Sequence, residues 1–268
     1  SINEKSKFRA NLRKLNYKKY FKQFKLERLI DANKFKTSNF SPSYIFENNN
    51  KTPYPPDLQD LIRIHYIITS RRVTTALEFG VGYSTIFIAD ALKNNYLKYN
   101  KFVSKNLRRS NAFKVFSVDS SKKYISIFKK KIPEDLKKYT KLSYSTSSIE
   151  TYNDQITSKI DRLPNVTPDF IYIDGPSFLD IKGKIDGISF KDKDRTILNC
   201  NLLRMENLLL PGTLVVWDGQ TNNARFNMVN FKRNWKSERL DKYDISYSEQ
   251  IENPLGYLNK RQIRFSKL

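Results

Sequence analysis

Five of the chain's eight glycines, Gly80, Gly82, Gly175, Gly212 and Gly219, fall at the end or start of a run that reads as a β-strand, and none precedes Gly80. Glycine at the carboxyl end of a parallel strand permits a tight turn and a close approach of backbone to ligand. The first such place is LEFGVGYST, residues 77–85, where Gly80 and Gly82 shape a turn and Ser84 and Thr85 begin a helix whose free N–H groups can hold an anionic group. A turn of this kind also serves purely structural ends. The next strand, VFSVD, ends in Asp119, whose carboxylate suits either the two hydroxyls of a ribose or the capping of the helix begun by SSKKY. Two later strands, FIYID and TLVVWD, end in Asp174 and Asp218. Beyond them DGQTNNARF offers Gln220, Asn222, Asn223 and Arg225. These side chains fit a polyhydroxyl or carboxylated ligand, or equally a loop and a helix start.

What must position these residues is an α/β domain. Strands are expected at 74–79, 115–119, 142–145, 170–174 and 213–218, alternating with helices at 57–71, 84–97, 121–131 and 195–209, the pattern of a mostly parallel sheet. A helix at 223–235 comes after them, and the chain closes with ISYSEQI (245–251) and RQIRF (261–265), read as an antiparallel pair. Residues 1–50 are set apart as a basic helical arm and linker ahead of a domain at 51–268. The apolar stripe of Phe8, Leu12 and Leu15 gives way near Asn16 to one of Tyr17, Tyr20, Phe21 and Phe24, so two short helices are expected to pack on the rest of the chain. Asn48, Asn49, Asn50, Pro53, Pro55 and Pro56 mark the boundary.

Composition removes several chemistries. Cys200 is the only cysteine, so no intrachain disulfide forms, and His65 is the only histidine, so a multi-histidine metal site has no ligands. His65 falls seven residues after Leu58 on an expected helix and reads as facing the core or a partner helix; Trp217 and Trp235 read as packing. No apolar run approaches the roughly 20 residues of a membrane span, and the charged first residues do not read as a secretory signal, so a soluble cytoplasmic protein is expected. The net charge of +22 suggests nucleic acid, but it is local: residues 1–36 carry +9 and a basic insertion at 92–114 carries +7. A coding bias toward Lys, Asn, Ile, Tyr and Phe also raises the charge without any selection for binding.

The string LEFGVG, a strand ending in Asp119, FIYIDG, LLLPGTLVVWD and the closing antiparallel pair together resemble the class I S-adenosylmethionine-dependent methyltransferases over roughly 57–266. The resemblance implies a Rossmann-like open sheet with helices on both faces, and S-adenosylmethionine as cofactor. It places Glu78 near the methionine part, with the turn Gly80–Gly82 and the adjoining Tyr83 and Ser84 beneath it. Asp119, with Ser120 beside it, falls on the ribose, Ser147 and Ser148 by the adenine, and Asp174 between cofactor and substrate. Ser84 replaces the family's third glycine, and Gly82 to Asp119 is longer than such a crossover needs. An NAD-binding Rossmann protein competes, but GVGYST lacks the third glycine of GxGxxG, and the acid lies 39 residues after Gly80 rather than about 20.

The residues just after the fourth strand constrain the acceptor. IDGPS replaces the (D/N)PPY of base N-methylating enzymes, which disfavours amino-methylation of nucleobases and favours transfer to an oxygen of a small molecule or glycan. Asp174 is the candidate base and Asp218 its companion, with Asn222 and Arg225 as candidate substrate contacts. Asp174 and Asp218 together could hold Mg²⁺ as in catechol-type O-methyltransferases, yet Gly219 stands where those enzymes carry Asn; a divalent metal is possible and not favoured. Asp218 equally suits binding the N–H groups of its own loop. An RNA methyltransferase gripping phosphates with the basic arm, and a non-catalytic Rossmann-type binding module, remain the alternatives. The sequence does not give the oligomeric state.

Overall fold

The computed structural model describes residues 12–30, 57–175, 177–192 and 194–267. Phe8 and the boundary proposed at 50–56 lie outside the described residues. Within the arm the helical run does break at Asn16. Its Oδ1 accepts the Lys19 N–H at 2.9 Å and starts α1 (Tyr17–Gln23) as an N-cap. Leu12, Leu26 and Leu29 are buried in the same core as the helices beyond them, so residues 12–30 pack on the domain as expected.

Asp57 caps α2 (Leu58–Ser70), and a buried face of Leu61, Ile64 and Ile68 at helical spacing lays it on the sheet. β1 (Thr75–Phe79), α3 (Tyr83–Asn106), β2 (Lys114–Asp119), α4 (Lys122–Lys131) and β3 (Thr140–Tyr144) come next. The basic stretch 92–114 thus prolongs α3 by more than two turns beyond the expected end and then returns to β2. A hairpin of β4 (Ser147–Tyr152) and β5 (Gln155–Ile160), which the sequence pattern does not signal, lies after β3. β6 (Phe170–Ile173) is succeeded by the short β7 (Ile181–Lys182), which pairs with β4 to make a separate three-stranded sheet. α5 (Asn201–Met205), β8 (Leu214–Asp218), α6 (Thr221–Asn230), β9 (Trp235–Leu240), β10 (Ile245–Gln250) and α7 (Gly256–Lys267) complete the chain.

The main sheet has the order β3-β2-β1-β6-β8-β10-β9, with β3, β2, β1, β6 and β8 parallel and β10 antiparallel to both its neighbours. All five expected parallel strands are present, and the mostly parallel open sheet with a closing antiparallel pair stands. Alternation along the strands splits the core in two. Ala76, Phe170, Tyr172, Leu214 and Val216 face α1, α2 and α3, while Leu77, Phe79, Ile171, Val215 and Trp217 face Leu202 of α5 and Ala224 of α6.

The closing pair is made differently from the expectation. RQIRF is not a strand but part of α7, where Ile263 seats against Gly212 and Phe265 is buried at the Tyr99 ring. The true partner of β10 is β9, whose first residue falls within the helix expected at 223–235. Glu206 ends that helix early. Its carboxylate accepts the backbone N–H groups of Lys232 and Arg233 and the Trp235 indole N–H, which turns the chain out of α6. The helix expected at 195–209 is shortened to α5 and a 3₁₀ turn at Glu206–Leu208.

Candidate active site

Because β1, β2, β6 and β8 are parallel, their last residues come together on one sheet edge. Glu78, Gly80, Asp119, Asp174 and Asp218 all lie there. Gly80 adopts φ +103°, a region natural to glycine, and its N–H donates to the Val118 carbonyl at 2.8 Å. The turn after β1 abuts the turn after β6 so closely that a Cβ added to Gly175 would lie 2.9 Å from Gly80 Cα. Two glycines far apart in sequence thus interlock at the floor of the edge, and the Asp174 N–H is fixed on the Phe79 carbonyl at 3.1 Å.

Glu78 sits beneath this turn with no exposed surface. Its Oε1 accepts from Ser84 Oγ at 2.5 Å, and its Oε2 from Thr85 Oγ1 at 2.6 Å and Ser117 Oγ at 2.5 Å, so it ties the first turn of α3 to β1 and β2. Thr85 Oγ1 in turn accepts the Gly82 N–H. Burial pushes the Glu78 carboxyl up to about 7 against the three hydroxyls that would lower it. Asp119 joins the two halves of the edge. Its Oδ2 accepts the Val81 N–H at 2.8 Å and its Oδ1 the Ser121 N–H at 2.6 Å, while Ser121 itself caps α4. Burial raises its carboxyl to about 6 despite these bonds.

Asp174 is open to solvent and has other acids for neighbours. Desolvation, then the charges of Asp218, Glu78 and Asp119, raise it well above the usual carboxylate range. Asp218 accepts the Tyr172 hydroxyl at 2.6 Å, and burial raises it too, opposed by that hydrogen bond and the Arg63 charge. Among the described residues no group of three or more His, Cys, Asp or Glu side chains is placed to hold a metal ion.

The remaining expected site residues are dispersed. Ser120 reaches Asp180 Oδ2 at 3.0 Å, and the Tyr83 ring is covered by the Lys131 ammonium. Ser147 and Ser148 begin β4, where their hydroxyls donate to the Lys159 carbonyl and Asp161 Oδ1 within the hairpin. Asn222 donates to Thr196 Oγ1, and Arg225 is exposed on α6. Asn223 is buried and holds the Asn199 N–H at 2.9 Å. Sequence reasoning misses Asp180, whose charge adds to that of Asp119, and Tyr172, whose place in a buried strand gives no sign that its hydroxyl reaches the site. His65 is fully buried between the Tyr20 hydroxyl and Asp90, so its expected place in the core, away from the sheet edge, is what the structure shows. Among the described residues no helix is long and apolar enough to cross a membrane.

No family model matches this chain, and no curated protein matches it in sequence. Among solved structures it is similar to the SAH-bound methyltransferase PaMTH1 of Podospora anserina, at 12% identity and TM-score 0.45, over 82% of this chain and 93% of that one. It is also similar to an O-methyltransferase from Bacillus cereus in complex with SAH, at 14% identity and TM-score 0.44, over 88% and 100%. A third likeness is to the O-methyltransferase TomG of Streptomyces achromogenes in complex with SAM, at 11% identity and TM-score 0.44, over 79% and 88%.

Proposed function

We propose that this chain transfers a methyl group from S-adenosylmethionine to an oxygen of a small-molecule or glycan acceptor. The observation that carries the reading is the gathering of Glu78, Asp119, Asp174 and Asp218 around the Gly80–Gly175 turns, each carboxyl raised by its surroundings. Such an edge is short of positive charge and favours a cationic ligand. S-adenosylmethionine carries a sulfonium and an ammonium group, and when bound it supplies an electrophilic methyl carbon.

The chain's residues divide the work. Asp119, with each oxygen already aligned by a backbone N–H, has lone pairs left for the two ribose hydroxyls. Glu78 is a positioning residue that acts through Ser84, Thr85 and Ser117 to hold the glycine turn. Asp174 takes the proton of the acceptor hydroxyl as attack proceeds, and its raised basicity suits that task. Asp218, held by Tyr172, is the first of the neighbouring acids whose charges raise Asp174. Asn222 and Arg225 are offered as acceptor contacts on the C-terminal side of the same edge.

Calorimetric titration with S-adenosylmethionine tests the reading. The wild-type chain binds it saturably, and Asp119→Ala loses a charge-assisted bidentate contact worth about 1.5–3 kcal/mol, a tenfold or greater loss of affinity. Unchanged affinity in a folded Asp119→Ala protein removes Asp119 from the site, and absence of wild-type binding removes the cofactor.

A further inference from the structure

The amino edge of the main sheet, opposite the carboxylates, carries a second concave site. A cavity of about 720 Å³ lies where the strands begin, against Thr75 at the start of β1 and the segments leading into β2, β6 and β8. The length of β1, roughly 13 Å at 3.3 Å per residue, separates it from the acidic edge. Its size is within the roughly 300–1,000 Å³ that small-molecule sites occupy.

Its lining changes character along the sheet. At the β2 and β1 end stand Arg108, Arg109, Ser110 and Asn111; at the β8 end stand Leu208 and Leu210, joined by Leu255 and Leu258 at the start of α7. Three inter-strand steps, about 14 Å, span this gradient from cation to hydrocarbon. No carboxylate lines the cavity among the described residues. Arg108 is exposed and forms no ion pair among the described residues. Arg109 is held in place behind it: Nε donates to Thr74 Oγ1 at 2.7 Å, and Nη2 lies 3.0 Å from Asp169 Oδ1 without a directed hydrogen bond. Asp169 is already occupied by the N–H groups of Thr74 and Thr75 and by the Thr74 hydroxyl. Leu208 is 67% exposed and Leu258 44%, apolar surface that a soluble fold leaves in contact with water only at a cost.

We propose that this cavity binds an anionic amphiphile, a small molecule with a carboxylate or phosphate head at Arg108, Ser110 and Asn111 and an apolar body along Leu208, Leu255 and Leu258. The basic end supplies the Arg108 guanidinium and short polar donors for the head, with Arg109, paired to Asp169, behind it. The leucines supply the area that rewards burial of the body. A purely anionic ligand would leave the leucines wet, and a purely apolar one would desolvate Arg108 without a partner.

The test is calorimetric titration of the full chain with decanoate, decyl phosphate, decanol and inorganic phosphate, the amphiphiles kept below their micellar concentrations. The expected result is saturable binding of decanoate or decyl phosphate, weakened at least tenfold in both Arg108→Glu and Leu258→Glu. Comparison of the two anions distinguishes a carboxylate from a phosphate head. Decanol and inorganic phosphate bind at least tenfold more weakly than the better anion. Both substitutions are at exposed positions and leave S-adenosylmethionine affinity unchanged, whereas Asp119→Ala leaves decyl-anion affinity unchanged, so this proposal and the assignment of the acidic edge fail separately. The proposal is overturned if neither anion binds saturably, if decanol binds as well as the anions, or if either variant retains wild-type affinity. It is likewise overturned if light scattering shows a dimer that Leu258→Glu dissolves while no anion binds, which would give the leucines to a second copy of the chain.

Discussion

The interlocked turns at Gly80 and Gly175 give a prediction whose parts can be separated. An alanine at Gly175 meets no unfavourable φ, but its Cβ would lie 2.9 Å from Gly80 Cα and 3.2 Å from Gly80 N, both backbone atoms that cannot swing aside. The turn must shift, and overpacking of this kind costs about 1–3 kcal/mol. At Gly80 both penalties apply: φ +103° disfavours an L side chain by about 1–2 kcal/mol, and the added Cβ would stand 3.2 Å from Gly175 N. Gly187 supplies the control, because it has φ +80° with nothing within 4 Å of an added Cβ, so its substitution isolates the backbone cost. The expected order of destabilisation is Gly80→Ala above both Gly175→Ala and Gly187→Ala, with Gly80→Ala at about 2–5 kcal/mol, the rough total of the two penalties. Urea unfolding of the three variants measures it, and calorimetry adds that Gly80→Ala and Gly175→Ala weaken S-adenosylmethionine while Gly187→Ala does not. If Gly80→Ala costs no more than Gly187→Ala, the close approach of the two turns has no energetic consequence and the reasoning fails.

Three further outcomes are expected. Glu78 is held near 7 in the folded chain against about 4.5 unfolded, so the folded state binds the extra proton; its contribution is full below pH 4.5 and is lost as pH rises through 7. Relative to Glu78→Gln, wild-type stability in urea should therefore fall by on the order of 3 kcal/mol between pH 4.5 and 8, and parallel profiles for the two proteins would contradict the assignment. For an acceptor found by screening for S-adenosylhomocysteine release, Asp174→Asn should lower kcat by about 10²- to 10⁴-fold while turnover survives EDTA; loss in EDTA with recovery on Mg²⁺ makes Asp174 and Asp218 metal ligands instead. Leu26→Ala, in the arm but fully buried, should cost about 2–5 kcal/mol in denaturant titration, as a core leucine does, and a cost near zero would detach the arm from the core.

The parallel strands are legible in the sequence because a strand buried on both faces is a short apolar run, and TALEF, FIYI and LVVW have no competing helical period. Asp119, Asp174 and Asp218 are legible for the same reason, since each directly succeeds or ends such a run, and Glu78 is the one acid inside its run. The C-terminus is not. RQIRF alternates apolar and polar residues as a strand would, and the helix it belongs to is anchored by Asn259, which holds the Leu255 N–H and the Pro211 carbonyl, a tertiary role no periodicity reveals. β9 is hidden because the capture of residues 232–235 by Glu206 is a contact between segments 26 or more residues apart. Asp180 is out of reach for a related reason. It arrives at Ser120 on a 3₁₀ turn after β6, and nothing in SFLD says which strand end that turn will meet.

Charge shows most plainly how topology and composition carry different information. The chain is +22, yet its candidate active site is a concentration of acids drawn from four strand ends, at 78, 119, 174 and 218, that no window of sequence would place together. The cations meanwhile spread over the periphery and rest on aromatic faces: Arg72 on Tyr99 and Phe265, Lys131 on Tyr83 and Phe128, Lys138 on Tyr96 and Tyr139. Each such contact is worth about 0.5–1 kcal/mol at an exposed site, so the abundance of Tyr and Phe gives the excess Lys and Arg an apolar surface to cover as well as a charge to present. A basic periphery screened over about 8 Å at physiological ionic strength does little to the potential at an edge where these carboxylates gather. The overall charge therefore bears on what approaches the molecule, while the parallel sheet, by bringing one acid from each of β1, β2, β6 and β8 to one edge, sets the charge found there.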